Sequence, residues 1–156
     1  MPTNIRRARL SSSSASALIA ALNVELRGRY PNPLDCHFDL TEEEVTPGRG
    51  TFVVASVDDL DVGCGAVRLI GEGLAELKRM FVVPACRGHG IGSAVLGLLE
   101  SEAAALGASR IVLETGVRSP DALALYRRAG YREIEKFGPY VESAISVCMG
   151  KILEST

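Results

Sequence analysis

Apolar residues recur at helical spacing in two long stretches of the chain. Residues 14–27 and 91–106 each place leucine, valine, isoleucine or alanine every three to four positions, which predicts two amphipathic helices. Gly28 and Gly107 directly follow these stretches and are expected to end the helices. A third helix is predicted from the Ser-Pro-Asp sequence at residues 119–121, because a capping residue, a proline and an acid favour the first turn. Gly130 is expected to end it.

The remaining apolar segments are short and rich in β-branched residues, which predicts strands. The segment 71–73, Gly-Glu-Gly, separates two of them and indicates a hairpin. Residues 29–38 are expected to be irregular, and Thr41 with Glu44 has the spacing of a capping box, which predicts a helical turn over 41–45. The predicted strands are 4–10, 51–57, 62–70, 74–83, 110–114, 131–135 and 143–151. This order predicts an α/β fold: a mixed central sheet flanked by helices, in a single domain over residues 1–156.

A glycine-rich turn lies between the predicted strand 74–83 and the helix that starts at Ile91. Glycines at 88, 90 and 92 leave room for a ligand to approach the backbone, and the N–H groups of the helix start would stabilise an anion such as a phosphate. Arg87 adds a charged donor beside the same turn. The turn contains neither the Gly-Lys-Ser/Thr of nucleotide-hydrolase loops nor the G-x-G-x-x-G of dinucleotide-binding folds.

Two motifs of the chain resemble those of the GNAT superfamily of N-acetyltransferases. Arg87, Gly90 and Gly92 match its R/Q-x-x-G-x-G/A signature. Residues 119–131 resemble its N-x-x-A-x-x-L-Y-x-x-x-G-F/Y segment, with Ser119 at the position of the asparagine. The resemblance extends from about residue 51 to residue 148, and the first fifty residues fit by element order only.

This resemblance implies the GNAT fold, in which two parallel strands splay apart around acetyl-CoA. The two strands would be 74–83 and 110–114. Backbone groups at the end of strand 74–83 would hold the pantetheine arm of the cofactor. The glycine turn would hold its pyrophosphate, and the third helix would also contact it. The implied cofactor-binding residues are Met80, Phe81, Val82, Arg87, Gly88, His89, Gly90, Ile91, Gly92, Ser93, Ser119, Ala122 and Tyr126.

The reaction implied by the resemblance is direct attack of an amine on the thioester. Tyr126 matches the family tyrosine that protonates the departing sulfur. Glu76 is the candidate general base, because several members carry a glutamate on this strand. It is equally interpretable as a solvated carboxylate at the sheet edge or as a partner of Lys78. Strand alternation is expected to place Glu76, Lys78, Met80 and Val82 on one face.

The acceptor is expected to be a small-molecule amine, although the resemblance also includes protein amines. Residues 29–38, with His37 and Asn32, and the segment 137–140 are expected to surround it. The candidate substrate-binding residues are Arg29, Tyr30, Glu76, Glu114, Thr115 and Tyr140. An acyl-CoA sensor without transfer activity, a binder of another phosphate ligand, and an enzyme for longer acyl donors stay open as alternatives.

Composition and charge also restrict which kinds of partner are expected. The net charge of −2 argues against nucleic acid as a partner, and no apolar run is long enough to suggest a membrane span. The four cysteines show no metal-ligand spacing, so free thiols, no metal and a cytoplasmic location are expected. Ile145, Val147 and Met149 would suit pairing in a homodimer, as in many relatives, or equally a core face.

Overall fold

The computed structural model describes residues 2–153 as seven strands in one sheet with helices on both faces. The strand order is β1-β2-β3-β4-β5-β7-β6, and every neighbouring pair is antiparallel except β4 and β5. The mixed α/β fold expected from the sequence is therefore confirmed. The strands are β1 Asn4–Arg7, β2 Gly50–Val57, β3 Leu60–Gly71, β4 Leu74–Val82, β5 Arg110–Gly116, β6 Arg132–Glu133 and β7 Ser146–Ile152.

Three α-helices were expected, and all three are present: α1 Ser13–Arg29, α2 Ile91–Ala105 and α3 Pro120–Arg128. Short 3-10 turns occur at Pro33–Asp35, Glu42–Val45, Pro84–Cys86 and Gly138–Tyr140. Gly107 and Gly130 end α2 and α3 with φ of 91° and 96°, a left-handed conformation that glycine adopts without strain. The expected stop at Gly28 is wrong, because α1 continues to Arg29.

Two apolar layers hold the helices on the sheet. Val53, Val67 and Ile111 face α2 and α3, where they pack with Val95 and Leu99 of α2. The opposite face of the sheet packs against α1. That second layer consists of Ala15, Leu18, Leu22, Phe52, Val54, Cys64, Ala66 and Phe81. Alternate residues of β2 therefore belong to different layers, as the period of two in a strand requires.

The parallel pair β4–β5 separates before either strand ends. Their ladder runs from Leu74–Arg110 to Leu77–Leu113, whereas the strands continue to Val82 and Gly116. The predicted splay is thus present, and it opens the sheet at the carboxyl ends of the two strands. Ligands of open α/β sheets bind in such an opening.

A β-bulge at Arg79 changes which face the residues of β4 present. Between the Cys64–Phe81 and Ala66–Lys78 pairs, β3 advances by two positions and β4 by three, so β4 carries one extra residue. Arg79 takes φ of 59° to accommodate it. The expectation that Glu76, Lys78, Met80 and Val82 share one face is therefore wrong. Met80 and Val82 pack with the α2 layer, as Leu77 does.

The carboxyl-terminal third contains less strand than expected. The predicted strand 131–135 reduces to Arg132–Glu133, and the strand predicted from residue 143 begins at Ser146. Met149 is 1% exposed in the core, and Val147 packs against that core.

The single domain expected over 1–156 stays a prediction, and residues 1 and 154–156 lie outside the described part. Within residues 2–153, no helix has the length and hydropathy to cross a membrane.

Candidate active site

A cleft of about 730 Å³ opens where β4 and β5 separate. Two groups of lining residues form its two ends. The turn end consists of Arg87, Gly88, Gly90, Ile91, Gly92 and Ser93. The bulge end consists of Tyr30, His37, Phe38, Lys78, Arg79, Glu114 and Tyr140. The other sequence-predicted residues in the lining are Arg29, Met80, Phe81, Val82, Thr115, Ser119, Ala122 and Tyr126, whereas His89 and Glu76 are not part of it.

The turn end presents backbone donors to the cleft. Gly88 and Gly90 both have φ of 83°, which a side chain would strain. The first helical bond of α2 runs from the Ala94 N–H to the Gly90 carbonyl at 3.0 Å, and no side chain caps the helix. The N–H groups of Ile91, Gly92 and Ser93 therefore have no acceptor within the helix, and they lie at its positive end.

Arg87 is held beside this turn by contacts that the sequence did not predict. Its Nε donates to the Val82 carbonyl at 2.8 Å, and its Nη2 donates to Glu25 of α1 at 2.7 Å. The side chain keeps 31% of its surface exposed, so the guanidinium is positioned and still accessible. His89 is exposed, with Nδ1 3.3 Å from the Cys86 carbonyl oxygen, and does not line the cleft.

Ser119 and Tyr30 join the start of α3 to the end of α1. Ser119 precedes Pro120 as expected, but its hydroxyl makes no helix cap; it lies 3.0 Å from the Tyr30 hydroxyl. The Arg118 N–H donates to the same Tyr30 oxygen at 2.9 Å. A Cβ at Gly116 would lie 1.9 Å from that oxygen, so only glycine lets the ring approach the end of β5.

Tyr126 lies at the base of the cleft, 6% exposed, on the α3 turn that follows Ala122. Its ring meets Tyr131 edge-on, with centroids 5.8 Å apart. Burial, with a smaller contribution from the Glu114 charge, raises the pKa of Tyr126 above its ordinary value, at which a phenol is already protonated at neutral pH. Among residues 2–153 no hydrogen-bond partner holds this hydroxyl, whereas Tyr131 donates to Glu100 at 2.8 Å.

Glu114 is the carboxyl group of the cleft whose protonation is most altered. Burial raises its pKa to about 7, against smaller opposing effects of a Ser146 hydrogen bond and the Lys78 charge. The Ser146 hydroxyl donates to Oε2 at 2.6 Å. A carboxyl group with this pKa exchanges protons near neutrality, which is the property that a general base needs. The sequence identified Glu114 only as a possible substrate contact.

Glu76 is committed to structural partners. Arg68 donates from both Nε and Nη2 to Oε1, at 3.0 and 2.8 Å, and Tyr140 donates to Oε2 at 2.9 Å. Only 3% of the residue is exposed. Glu76 therefore reaches the cleft only through the Tyr140 hydroxyl, which Lys78 also approaches at 3.4 Å.

Several lining residues escaped the sequence analysis. Glu25 and Leu22 come from α1, which the motifs do not include, and Arg79 lies on a strand without a recognisable signature. Nothing in a strand pattern distinguishes Arg79 from a surface arginine. All four cysteines are free, as expected. Within residues 2–153, no group of three or more histidine, cysteine, aspartate or glutamate side chains is arranged to hold a metal ion.

Comparisons with known proteins agree with this geometry. The model of the Acetyltransferase (GNAT) family matches residues 18–131. An "IAA acetyltransferase" from Azospirillum brasilense is 45% identical over 103 residues, which are 65% of this chain and 67% of that protein. A Klebsiella pneumoniae structure, provisionally described as an acyl-CoA N-acyltransferase, has a TM-score of 0.84 at 31% identity, covering 97% of this chain and 98% of its own.

A more distant structure shows the same fold. The PaiA N-acetyltransferase from Thermoplasma acidophilum, in complex with coenzyme A, has a TM-score of 0.71 at 18% identity and covers 97% of this chain and 99% of its own. The curated relatives are matched over only part of their length, from 39% to 67%.

Proposed function

Because this chain belongs to the GNAT acetyltransferase family, we propose that it transfers an acetyl group from acetyl-CoA to the amine of a small molecule. The observation that carries the proposal is that one cleft combines three features. These are uncapped helix N–H groups at a glycine turn, a protonated tyrosine, and a carboxyl group with a pKa near neutrality. An acyl-CoA sensor needs the first feature but neither of the other two.

The turn end suits the pyrophosphate of the coenzyme. Gly88 and Gly90 hold the backbone in left-handed conformations that direct three N–H groups into the cleft, and Arg87 adds a positive charge there. Met80, Phe81 and Val82 continue from the end of the β4–β5 ladder, where their backbone groups have no partner on β5. The Val82 carbonyl accepts from Arg87, and the groups of this stretch that face β5 and have no other partner bind the amide-containing arm.

Acetyl-CoA, when bound, supplies an acetyl thioester that an unprotonated amine can attack. Glu114 accepts the proton from that amine, since its pKa of about 7 leaves it ionised above neutral pH and more basic than an ordinary carboxylate. The base role that the sequence predicted for Glu76 is assigned here to Glu114. It holds the Tyr140 hydroxyl at 2.9 Å and thereby fixes one wall of the acceptor site.

Tyr126 holds a proton for the sulfur atom that leaves. The phenol carries its proton at neutral pH, as any tyrosine does, and its hydroxyl is free of protein partners in the described residues. Its neighbour Glu114 lies near enough to influence that pKa, so the acid and the base serve the same reacting group from two elements. The cytoplasmic location, a homodimer and the identity of the amine stay predictions.

The experiment combines cofactor binding with turnover. Acetyl-CoA is expected to raise the unfolding midpoint and ATP is not, because only a ligand of the folded state stabilises it. Coenzyme A thiol release is then measured with a panel of primary amines. Tyr126→Phe is expected to lower kcat by about 10² or more with little change in acetyl-CoA affinity.

Tyr131→Phe is the matched control, because it removes the neighbouring hydroxyl, which donates to Glu100 and does not line the cleft. It is expected to retain kcat. A midpoint shift without thiol release from any amine would favour the sensor function, and equal kcat values in both variants would remove the acid role from Tyr126.

A further inference from the structure

Two buried side-chain nitrogens in residues 2–153 have no hydrogen-bond partner: Nε of Arg79 and Nε2 of His37. Both residues belong to the bulge end of the cleft. Buried polar groups are almost always paired, so two exceptions in one place call for an explanation. An arginine Nε–H is only a donor and requires an acceptor, whereas Nε2 of His37 requires one when it carries the imidazole proton.

The charge of Arg79 also lacks a partner. The residue is 7% exposed, yet no carboxylate within residues 2–153 forms an ion pair with it. Its protein contacts are the Asn23 amide oxygen, which accepts from Nη2, and the Phe38 ring, 4.9 Å from the guanidinium carbon. A buried cation with only neutral partners is costly, unless an anion completes the site.

The acids around Arg79 form ion pairs with other cations. Asp39 pairs with Lys78 at 3.1 Å and with Arg68 at 3.5 Å. Arg68 also holds Glu44 at 2.6 Å and Glu76 at 2.8 Å. None of these three carboxylates forms an ion pair with Arg79, on which Asp39 acts only through its charge at longer range.

The β-bulge places this cation in the same cleft as the candidate base. The bulge allows Lys78 and Arg79, although consecutive, both to contact the α1 side of the sheet. Leu77–Leu113 is the last pair of the β4–β5 ladder, and Lys78, Arg79 and Glu114, which lie beyond it, all line the cleft. One small molecule in the cleft can therefore contact the donors of β4 and the carboxyl group of β5.

We infer that the acceptor is an amine that also carries a carboxylate, such as an amino acid; this inference rests on the proposed acetyl transfer. Arg79 and His37 bind the carboxylate, and Glu114 receives the amine. A guanidinium presents parallel N–H donors at the spacing of the two carboxylate oxygens. An uncharged amide lacks the negative charge that the guanidinium attracts. The inference concerns substrate class and adds no step to the reaction.

The test compares L-amino acids with their carboxamides as acceptors, measured by coenzyme A thiol release. Each pair keeps the amine and the side chain but differs in the charge that Arg79 would bind. The acids are expected to have kcat/KM at least tenfold above their amides. In Arg79→Met the KM of the preferred acid is expected to rise at least tenfold, while the KM values of its amide and of acetyl-CoA stay within twofold.

Arg27→Met is the matched control, because Arg27 faces the same Phe38 ring at 5.4 Å but lies outside the cleft lining. It is expected to change neither KM. His37→Phe keeps the ring contact with Tyr140 and removes the donor, so it provides a second variant if Arg79→Met does not fold. A retained acetyl-CoA midpoint shift shows that each variant is folded.

Acids and amides used equally well, or acid KM unchanged in both folded variants, would overturn the carboxylate site and leave acetyl transfer intact. Failure of every acceptor to release thiol would instead contradict the proposed function. In that case, binding of N-acetyl amino acids and their amides to the coenzyme A-bound protein, read by midpoint shift, still tests the site. An equal shift for both would overturn it.

Discussion

The turn end and the bulge end of the cleft are built in different ways. The turn end comes from one continuous segment, Arg87 to Ser93, and presents backbone N–H groups and one arginine. The bulge end assembles side chains from the end of α1, the segment after it, β4, β5 and the turn before β7. A continuous segment with glycines can be recognised in a sequence, whereas a set of side chains brought together from separate elements cannot.

The two ends also differ in how their charges are balanced. Arg87 pairs with Glu25 at 2.7 Å and remains partly exposed, so its charge is compensated in the protein. Arg79 is buried and pairs with no carboxylate in residues 2–153. The first arrangement suits a ligand that is held largely by backbone groups, and the second suits one that completes the site.

The largest expected effect is at Glu114. Replacing it by glutamine removes the proposed base, so we expect thiol release at pH 8 to fall by about 10². Wild-type kcat/KM is expected to rise with pH through about 7, because Glu114 must lose its proton, and Glu114→Gln is expected to lack that rise. Initial rates from pH 5.5 to 9 measure both. If kcat/KM of Glu114→Gln rises with pH as the wild type does, another group is responsible for the rise.

The raised pKa of Glu114 also makes the stability of the folded protein depend on pH. The folded state holds the Glu114 proton more tightly than the unfolded state, whose pKa is near 4.5. The stabilisation of the folded state by protonated Glu114 is therefore fully present below pH 4.5 and is lost as pH rises through about 7. Glu114→Gln is expected to melt above wild type at pH 8 and level with it near pH 4.5. A constant difference would contradict the raised pKa.

An intermediate effect is expected where α1 is joined to β5. Gly116→Ala would place a methyl group 1.9 Å from the Tyr30 oxygen, so the ring must move, and we expect unfolding free energy to fall by about 2 kcal/mol. Gly97→Ala is the matched control, because its Cβ meets nothing within 4 Å in an exposed helix position; we expect a gain of about 0.5–1 kcal/mol. Denaturant titration measures both. Equal stability changes would mean that Tyr30 moves at no cost.

The smallest expected effect is at the turn end, where backbone groups share the binding. Arg87→Glu reverses a charge beside the turn and faces Glu25, so we expect the Kd for acetyl-CoA to rise about tenfold. Arg132→Glu makes the same reversal on exposed β6 and is expected to leave Kd unchanged. Titration calorimetry measures the Kd for acetyl-CoA in both variants. Unchanged affinity in Arg87→Glu would remove the phosphate role from this residue.

Most of the fold could be predicted from local pattern, and the exceptions have specific causes. Helical spacing and flanking glycines located α2 and α3, and the Gly-Glu-Gly hairpin located β3 and β4. Alternation failed along β4 because one inserted residue at Arg79 reverses the faces beyond it. The hydroxyl of Ser119 was expected to cap α3, but the buried Tyr30 hydroxyl is its actual partner. Such contacts join residues 89 positions apart, and no local pattern contains them.

The sequence by itself determined the parts of this protein that depend on neighbouring residues: the helices, the order of elements along the chain, the glycine turn and the position of Tyr126 in its motif. Only the tertiary structure decided that Glu114 carries the raised pKa, that Glu76 is committed to Arg68, and that Arg79 is buried without an acid. The physical reason is that desolvation and ion pairing depend on which distant groups surround a charge. Those surroundings exist only once the sheet and α1 have packed together.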